Sequence, residues 1–463
     1  MTAFWKSMGH GTNIRVSNSK QRITPLLIMK TTLPLVSIVL FLFSSAFAQV
    51  SFPLSVSKNG RHLIDTDSVP FFYQADTPWH LFFDLKPVDA EYYIKRRKEQ
   101  GFNALQIMLT GSKGQLDFNG ESPWLGDRDF SRPNEKFFER VDAVLEIAKN
   151  HNMYIAIVPL WSGCCRGDMA GNDVDGNPLP MMVNGVKKTY EFGKWLGNRY
   201  GKYLNIMWII GGDNDPFNAI EEYGALVKGL METTTDQLFT YHAASTHSST
   251  DVYPGANWLD VSMIYTYFRG FNKAWNKIQP DVYEVAYDEY RKNKMPFFLG
   301  ESNYEREHDD WGNPTQIRKQ AYWAALSGSA GHAYGSVNWK IPKNWKEVLE
   351  LEGALSLIHL ANLMEHVGFE TLEPDWLGTL LEDSAGEYAS NNYAISAFTK
   401  ERTSAVIYVP SKRRLKLNST SLSRPINSLK WYNPRTGEQS NILSRKGFIV
   451  PPSEEDWVLL VNY

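Results

Sequence analysis

The sequence predicts an α/β protein, a (β/α)8 TIM barrel followed by a small C-terminal β-sandwich. Three observations predict it. Eight short apolar runs alternate with amphipathic stretches over about 300 residues, which suits a barrel of about 250 residues with insertions. The runs are almost continuously apolar rather than alternating, as expected of strands covered on both faces. After about Glu373 the alternation ends and only short strand-like runs separated by turn residues remain.

Taken in order, residues 54–64, with the turn signal Asn59-Gly60, read as a hairpin ahead of the barrel. Residues 71–76 form the first expected strand, and 89–100 the first helix, with Asp89 as its cap. The second strand is 104–109. The helix after it, 135–150, places Phe138, Val141, Leu145 and Ala148 on one face at helical spacing. Strand 153–160, helix 187–200, strand 205–210, helix 218–232 and strand 238–242 follow. A long loop leads to the sixth strand, 261–265. Helix 280–293, strand 296–300, helix 315–327, strand 330–334 and a last helix within 345–366 complete the barrel. The first turn reads Asp76-Thr77-Pro78-Trp79-His80, without the glycines of a dinucleotide-binding turn, which disfavours a doubly wound sheet. The strand-like runs 388–398, 404–409, 415–417, 429–432, 448–450 and 457–461 make the sandwich.

The chain has 463 residues, 48 Lys and Arg against 51 Asp and Glu, and a formal charge of −3. That balance argues against a nucleic-acid binder, and a single long apolar run argues against a polytopic membrane protein. The run, 33–43, follows Lys30 and precedes Ala46-Phe47-Ala48, the parts of a secretory signal peptide. The expected organisation is an upstream, non-native extension at 1–28, a signal peptide at 29–48, the barrel with its hairpin at 49–372 and the sandwich at 373–463. Export to the periplasm or beyond follows, as a monomer without integral membrane association. The two cysteines are adjacent, Cys164-Cys165, and read either as a strained vicinal disulfide or as two free thiols. Neither they nor the histidines show metal-ligand spacing, so no metal and no cofactor is expected.

Barrel chemistry sits at the C-terminal ends of the strands. There the sequence places Asp76, Trp79 and His80 after strand one and Trp161 after strand three. Gly211-Gly212-Asp213-Asn214-Asp215 follows strand four, and His242 ends strand five. Tyr265 and Tyr267 follow strand six, and Gly300-Glu301-Ser302-Asn303-Tyr304-Glu305 ends strand seven. His332, Tyr334 and Trp339 belong to strand eight. Glycosidic hydrolysis needs one carboxylic acid to protonate the leaving oxygen and a second carboxylate to attack the anomeric carbon or activate water. Asp213 and Glu301, on strands across the barrel from each other, are the candidate pair. Asp215, before Pro216, reads as a loop or cap residue, and Glu305 as a sugar-hydroxyl contact or a support. Trp79, Trp124, Trp161, Trp258 and Trp339 lie in or near the top loops, where indole rings suit the C–H faces of sugars.

Six motifs resemble the apiosidase-like glycoside hydrolases (family 140). They are Ala75-Asp76-Thr77-Pro78-Trp79, Gly101-Phe102-Asn103, Trp208-Ile209-Ile210-Gly211-Gly212-Asp213, Thr240-Tyr241-His242, Gly300-Glu301-Ser302-Asn303-Tyr304-Glu305 and Gly331-His332-Ala333-Tyr334-Gly335. The resemblance implies a barrel with a C-terminal β-sandwich, acting on apiose linkages in the side chains of pectic rhamnogalacturonan-II. It implies Asp213 as acid/base and Glu301 as nucleophile. With it, Tyr265 is expected to hydrogen-bond Glu301, and Asp76, His242 and His332 to bind sugar hydroxyls. Trp161 is expected to stack on a ring, with Trp79, Tyr304 and Glu305 as further substrate contacts. The alternatives are a non-catalytic polysaccharide- or collagen-binding surface protein and a barrel glycosidase of different sugar specificity.

Overall fold

The computed structural model describes residues 49–463 apart from 111–115, 127, 162–177, 235, 270–278, 293 and 443–446. The Cys164-Cys165 pair, the first 28 residues and the expected signal peptide lie outside the described residues.

Eight parallel strands make the barrel: β1 (Tyr73–Asp76), β2 (Ala104–Met108), β3 (Tyr154–Val158), β4 (Ile206–Gly211), β5 (Leu238–His242), β6 (Ser262–Tyr265), β7 (Phe297–Glu301) and β8 (Gly331–Tyr334). Eight helices alternate with them: α1 (Pro87–Glu99), α2 (Glu135–Asn150), α3 (Pro180–Tyr200), α4 (Ile220–Met231), α5 (Ser249–Val252), α6 (Val282–Lys292), α7 (Pro314–Leu326) and α8 (Glu352–Val367). α1 starts two residues earlier than Asp89 because Pro87, with its fixed φ and missing N–H, takes the first helical position. α3 gains its early start from Leu179-Pro180 and breaks at Gly185, where φ is +67°.

Period-two alternation sorts the strand side chains. Tyr73, Ala75, Ala104, Tyr154, Ala156, Met207, Ile209, Met263, Phe298 and Ala333 fill the barrel interior. Leu105, Ile107, Ile155, Ile157, Trp208 and Ile210 face the helices instead.

The strands pair in the order β5-β4-β3-β2-β1-β8-β7-β6. The ring closes between β5 and β6 largely through side chains. Ser249, the first residue of α5, donates from Oγ to the Tyr241 carbonyl (2.6 Å) and accepts from the Met263 amide (2.7 Å). Asp260 accepts from the Phe239 amide (2.9 Å), while its own amide donates back to the Phe239 carbonyl (3.0 Å). The one-turn helix α5 is held in that position by a capping box between Ser248 and Asp251.

The C-terminal domain is an antiparallel sheet of β9 (Leu372–Pro374), β10 (Ile395–Thr399), β11 (Ser404–Val409), β12 (Ser428–Tyr432), β13 (Gln439–Asn441) and β14 (Trp457–Asn462), in the order β9-β10-β11-β14-β12-β13. Both faces are buried. Ile395, Val406, Tyr408, Val458 and Leu460 pack on α7 and α8 of the barrel, where Tyr408 stacks on Tyr322 at 4.8 Å. Ile407, Val409, Trp431, Leu459 and Val461 are covered by Leu380, Leu381, Leu415 and Ile449. The expected strands at 415–417 and 448–450 reduce to one Leu415–Ile449 bridge in that second layer. A buried ion cluster joins the two domains. Arg318 of α7 donates two bonds to the Asp456 carboxylate (both 2.9 Å), and Arg435 and Tyr408 each add one at 3.0 Å.

Candidate active site

β4 ends in three residues of positive φ: Gly211 (+84°), Gly212 (+144°) and Asp213 (+57°). A side chain at Gly212 is excluded by space as well, since its Cβ would lie 2.0 Å from Trp161 Cδ1. The turn therefore lays the chain against Trp161 and points Asp213 over the barrel mouth. A non-glycine residue held in the left-handed region is uncommon and gathers at functional sites.

Glu301 reaches the same place by a different device. Phe298 faces the interior and Leu299 the helices, so strict alternation would turn Glu301 outward. The register between β6 and β7 slips instead: Leu299 pairs with Ile264, and Glu301 with Tyr265. Gly300 is the extra residue of this bulge, and bulges of this kind re-aim a neighbouring side chain. Its Cβ would lie 2.1 Å from Met263 Cε, so the crowded interior selects glycine there.

The two acids meet around His242, which ends β5. His242 Nε2 lies 3.4 Å from Glu301 Oε2 and 3.7 Å from Asp213 Oδ1, and one donor atom from each of the three falls within 4.8 Å of the others. Burial pushes His242 down to about 3, so the ring is neutral and these contacts are not ion pairs. Asp213 is pushed up to about 7 by burial, opposed by hydrogen bonding from Trp161, Glu301 and Tyr265. Glu301 is held well above the usual carboxylate range by burial and then by the negative charge of Asp213, opposed by hydrogen bonds from Tyr267 and Tyr265. Two carboxyls so close share one proton at neutral pH rather than ionising together. Among the described residues, Asp213, His242 and Glu301 also form a group whose donors could hold a metal ion. A cation there would be held by both acids at once.

Aromatic residues frame the acids. Tyr267 Oη donates to Glu301 Oε1 at 3.0 Å. The hydrogen bond expected from Tyr265 is made by Tyr267, two residues further along, while Tyr265 lies near enough to favour the ionised carboxylate. Tyr265 packs edge-on against His242 at 5.1 Å, and Trp79 stacks on the other side at 6.1 Å. Trp79 Nε1 donates to Tyr304 Oη at 2.6 Å, which fixes both as the buried floor of the mouth. Trp161 and Trp339 are partly exposed above this floor and pack on the interior cluster.

Three expected substrate contacts are placed elsewhere. Asp76 has the parity of Gln74, not of Ala75, and points outward beneath α1. There it accepts from Arg97 Nε (2.6 Å), Tyr93 Oη (2.5 Å) and the Thr77 amide (2.8 Å), with 1% exposure. His332 shares the outward parity of Tyr334 and lies tilted against Phe72, where burial pushes it down to about 3. Glu305 turns from the mouth to accept from Tyr334 Oη (2.7 Å) and from the Gly353 (2.8 Å) and Ala354 (3.3 Å) amides that open α8. It serves as an N-terminal cap supplied from another loop. Trp124 is buried against Phe130 and Phe192 in the outer core, away from the mouth. Asp215 accepts from the Ala244 amide (3.0 Å) and His247 (2.8 Å), the loop role its Pro216 neighbour suggests.

A family model described as "Apiosidase-like, catalytic domain" matches residues 57–371, and one described as "Putative collagen-binding domain of a collagenase" matches residues 381–462. No curated protein matches the chain. Among solved structures, one described as a glycoside hydrolase aligns with a TM-score of 0.75 at 23% identity, covering 89% of this chain and 98% of that one. A glycoside hydrolase family 5 protein from Bacteroides vulgatus ATCC 8482 aligns with a TM-score of 0.77 at 22% identity, covering 89% of this chain and 95% of that one. At such identities the likeness is one of fold. The match of the catalytic-domain model runs over more than half of the chain and takes in every strand of the barrel, and on that ground the protein belongs to the apiosidase-like family of glycoside hydrolases.

Proposed function

We propose that this glycoside hydrolase is exported and removes apiose-linked sugars from pectic side chains of the rhamnogalacturonan-II kind, by a retaining mechanism on Asp213 and Glu301. The observation that carries the mechanism is the approach of the two carboxyl groups, with oxygens within 4.8 Å of each other around His242. Retaining enzymes hold their carboxyls about 5–5.5 Å apart, whereas inverting ones leave about 6.5–9.5 Å for a water.

The form of the singly protonated pair that reacts carries its proton on Asp213, while Tyr267 donates to an ionised Glu301. Asp213 protonates the leaving oxygen as Glu301 attacks the anomeric carbon and forms a glycosyl-enzyme. Asp213, now ionised, takes a proton from the incoming water, and the sugar leaves with its original configuration. Neutral His242 sits between the acids, 3.4 Å from Glu301 and 3.7 Å from Asp213, and adds no charge. Support for the pectic substrate comes from the family, and support for export comes from Lys30, the apolar run 33–43 and Ala46-Phe47-Ala48.

The test is hydrolysis of pectic oligosaccharides with and without apiose, with the anomer of the first product followed by NMR. Release of apiose-linked fragments with retained configuration is expected. Glu301→Gln and Asp213→Asn are each expected to lower kcat by about 10³-fold or more, the scale at which paired catalytic groups fail together. Near-wild-type hydrolysis by Glu301→Gln would falsify the assignment, and an inverted first product would replace retention by inversion.

A further inference from the structure

A third carboxylate borders the mouth, and the hydrolytic step does not use it. Glu307 lies in the loop between β7 and α7, with its side chain 22% exposed. Its Oε1 accepts from Trp339 Nε1 at 2.6 Å, while among the described residues its Oε2 accepts no hydrogen bond and lies 4.0 Å from His308 Nε2. Trp339 rests on the interior cluster below the mouth and meets His80 edge-on at 5.3 Å. On the other side His308 meets Tyr267 edge-on at 5.2 Å, the tyrosine that donates to Glu301. Glu307 is close enough that its charge contributes to the field on Glu301.

The backbone is built to hold it there. Arg306 and His308, on either side of Glu307, both adopt positive φ (+64° and +57°). Two left-handed non-glycine residues in three positions are costly and persist only where the surroundings impose them. Here the Arg306 amide donates to the Gly312 carbonyl (2.8 Å) and the Glu307 amide to the Tyr304 carbonyl (3.1 Å). Gly312 is packed so tightly on this turn that its Cβ would lie 2.2 Å from the Glu307 carbonyl oxygen.

We infer that Glu307, oriented by Trp339, is a specificity-determining residue that accepts hydrogen bonds from neighbouring hydroxyls of the sugar ring attacked by Glu301. One oxygen is committed to the indole and fixes the direction of the carboxylate. The second accepts no hydrogen bond among the described residues and suits a glycone with an adjacent pair of hydroxyls, while Lys340 Nζ covers one face of the indole at 4.3 Å. The inference rests on Asp213 and Glu301 being the reacting acids but not on which sugar is cleaved.

The experiment begins with the glycoside that the wild-type enzyme hydrolyses, chosen from pectic oligosaccharides and 4-nitrophenyl furanosides and pyranosides. Glu307→Gln keeps an acceptor for Trp339 and removes the charge. It is expected to lower kcat/KM about 10–100-fold, mostly through KM, as loss of a charge-assisted hydrogen bond does. Tryptophan fluorescence titration in a Glu301→Gln background reads binding without turnover, and Glu307→Gln should weaken it by a similar factor. A deoxy analogue lacking both contacted hydroxyls should bind equally to both forms. Trp339→Phe, which removes the indole donor, should reproduce part of the loss. Unchanged KM and binding in a folded Glu307→Gln enzyme would overturn the inference, as would an equal loss with the deoxy analogue. Cleavage of a non-pectic glycoside would overturn the substrate proposed above and leave this test intact.

Discussion

Asp213 keeps its proton in the folded chain up to a pH of about 7, whereas an exposed aspartate releases it near 4. Between those values the folded state binds more protons than the unfolded one, so this residue makes stability fall as pH rises, and the loss is complete above about 7. Glu301 acts in the same sense, because its carboxyl is also held up, in part by the charge of Asp213. Asp213→Asn should therefore melt at a higher temperature than the wild type at pH 8. That advantage should shrink steadily toward pH 4, and a difference in Tm that stays constant with pH would contradict the raised Asp213. The residues that sequence reasoning misplaced share one physical cause. Asp76 and His332 stand at strand ends, where the sequence shows them, but half of all strand residues face the helices, and one step of parity decides which half. Parity also misleads for Glu301 unless Gly300 is recognised as a bulge, which depends on the room left by Met263. The acid pair itself was legible because both residues follow glycines after long apolar runs. Tyr267 stood in view at the end of strand six, yet only the folded distances separate its role from that of Tyr265. Glu307 carries no signal in a sequence that shows neither positive φ nor the distant Trp339.

The seam between β5 and β6 shows the same limit at the scale of the element. All eight strands were readable as apolar runs, and helix α2 even to the residue, because burial on both faces and 3.6-residue spacing leave direct traces in composition. What closes the ring leaves none. Ser249 reads as a polar loop residue, yet its hydroxyl serves one strand as donor and the other as acceptor while the residue is fully buried. Ser249→Ala would strand the Met263 amide and the Tyr241 carbonyl, at a cost of about 1–3 kcal/mol. A lowered Tm with faster hydrogen exchange at the Met263 amide is the expected result. Unaltered exchange there would show that the seam does not depend on this hydroxyl. Since His242 and Tyr265 end the two strands concerned, some loss of activity should accompany the opening.

Across the whole molecule, the sheet domain functions as a wall of the barrel as much as an appendage. One of its faces is spent on α7 and α8, and Asp456 gathers Arg318, Arg435 and Tyr408 at that junction with no exposure of its own. Asp456→Ala would leave Arg318 buried beside the half-buried Arg435, with, among the described residues, only the longer contact to Glu352 at 3.7 Å as counter-charge. The expected destabilisation is about 3–5 kcal/mol, measured by denaturant unfolding with both domains melting together. A separate, earlier transition of the sheet alone would show that the junction is dispensable. This organisation was half legible. The change of pattern after Glu373 marks the boundary, but β9 and β13 are too short and too polar to register as strands, and nothing local announces that Arg318 and Asp456 will meet.

Glu305 connects these scales. Its carboxylate sits on the first turn of α8, its backbone belongs to the loop that follows Glu301 and carries Glu307, and α8 in turn lies against the C-terminal sheet. Anyone shortening this enzyme to a minimal barrel for industrial use would strip the cover from the helix to which the loop after Glu301 is moored. The trimmed reagent would lose shape first where the glycoside is gripped.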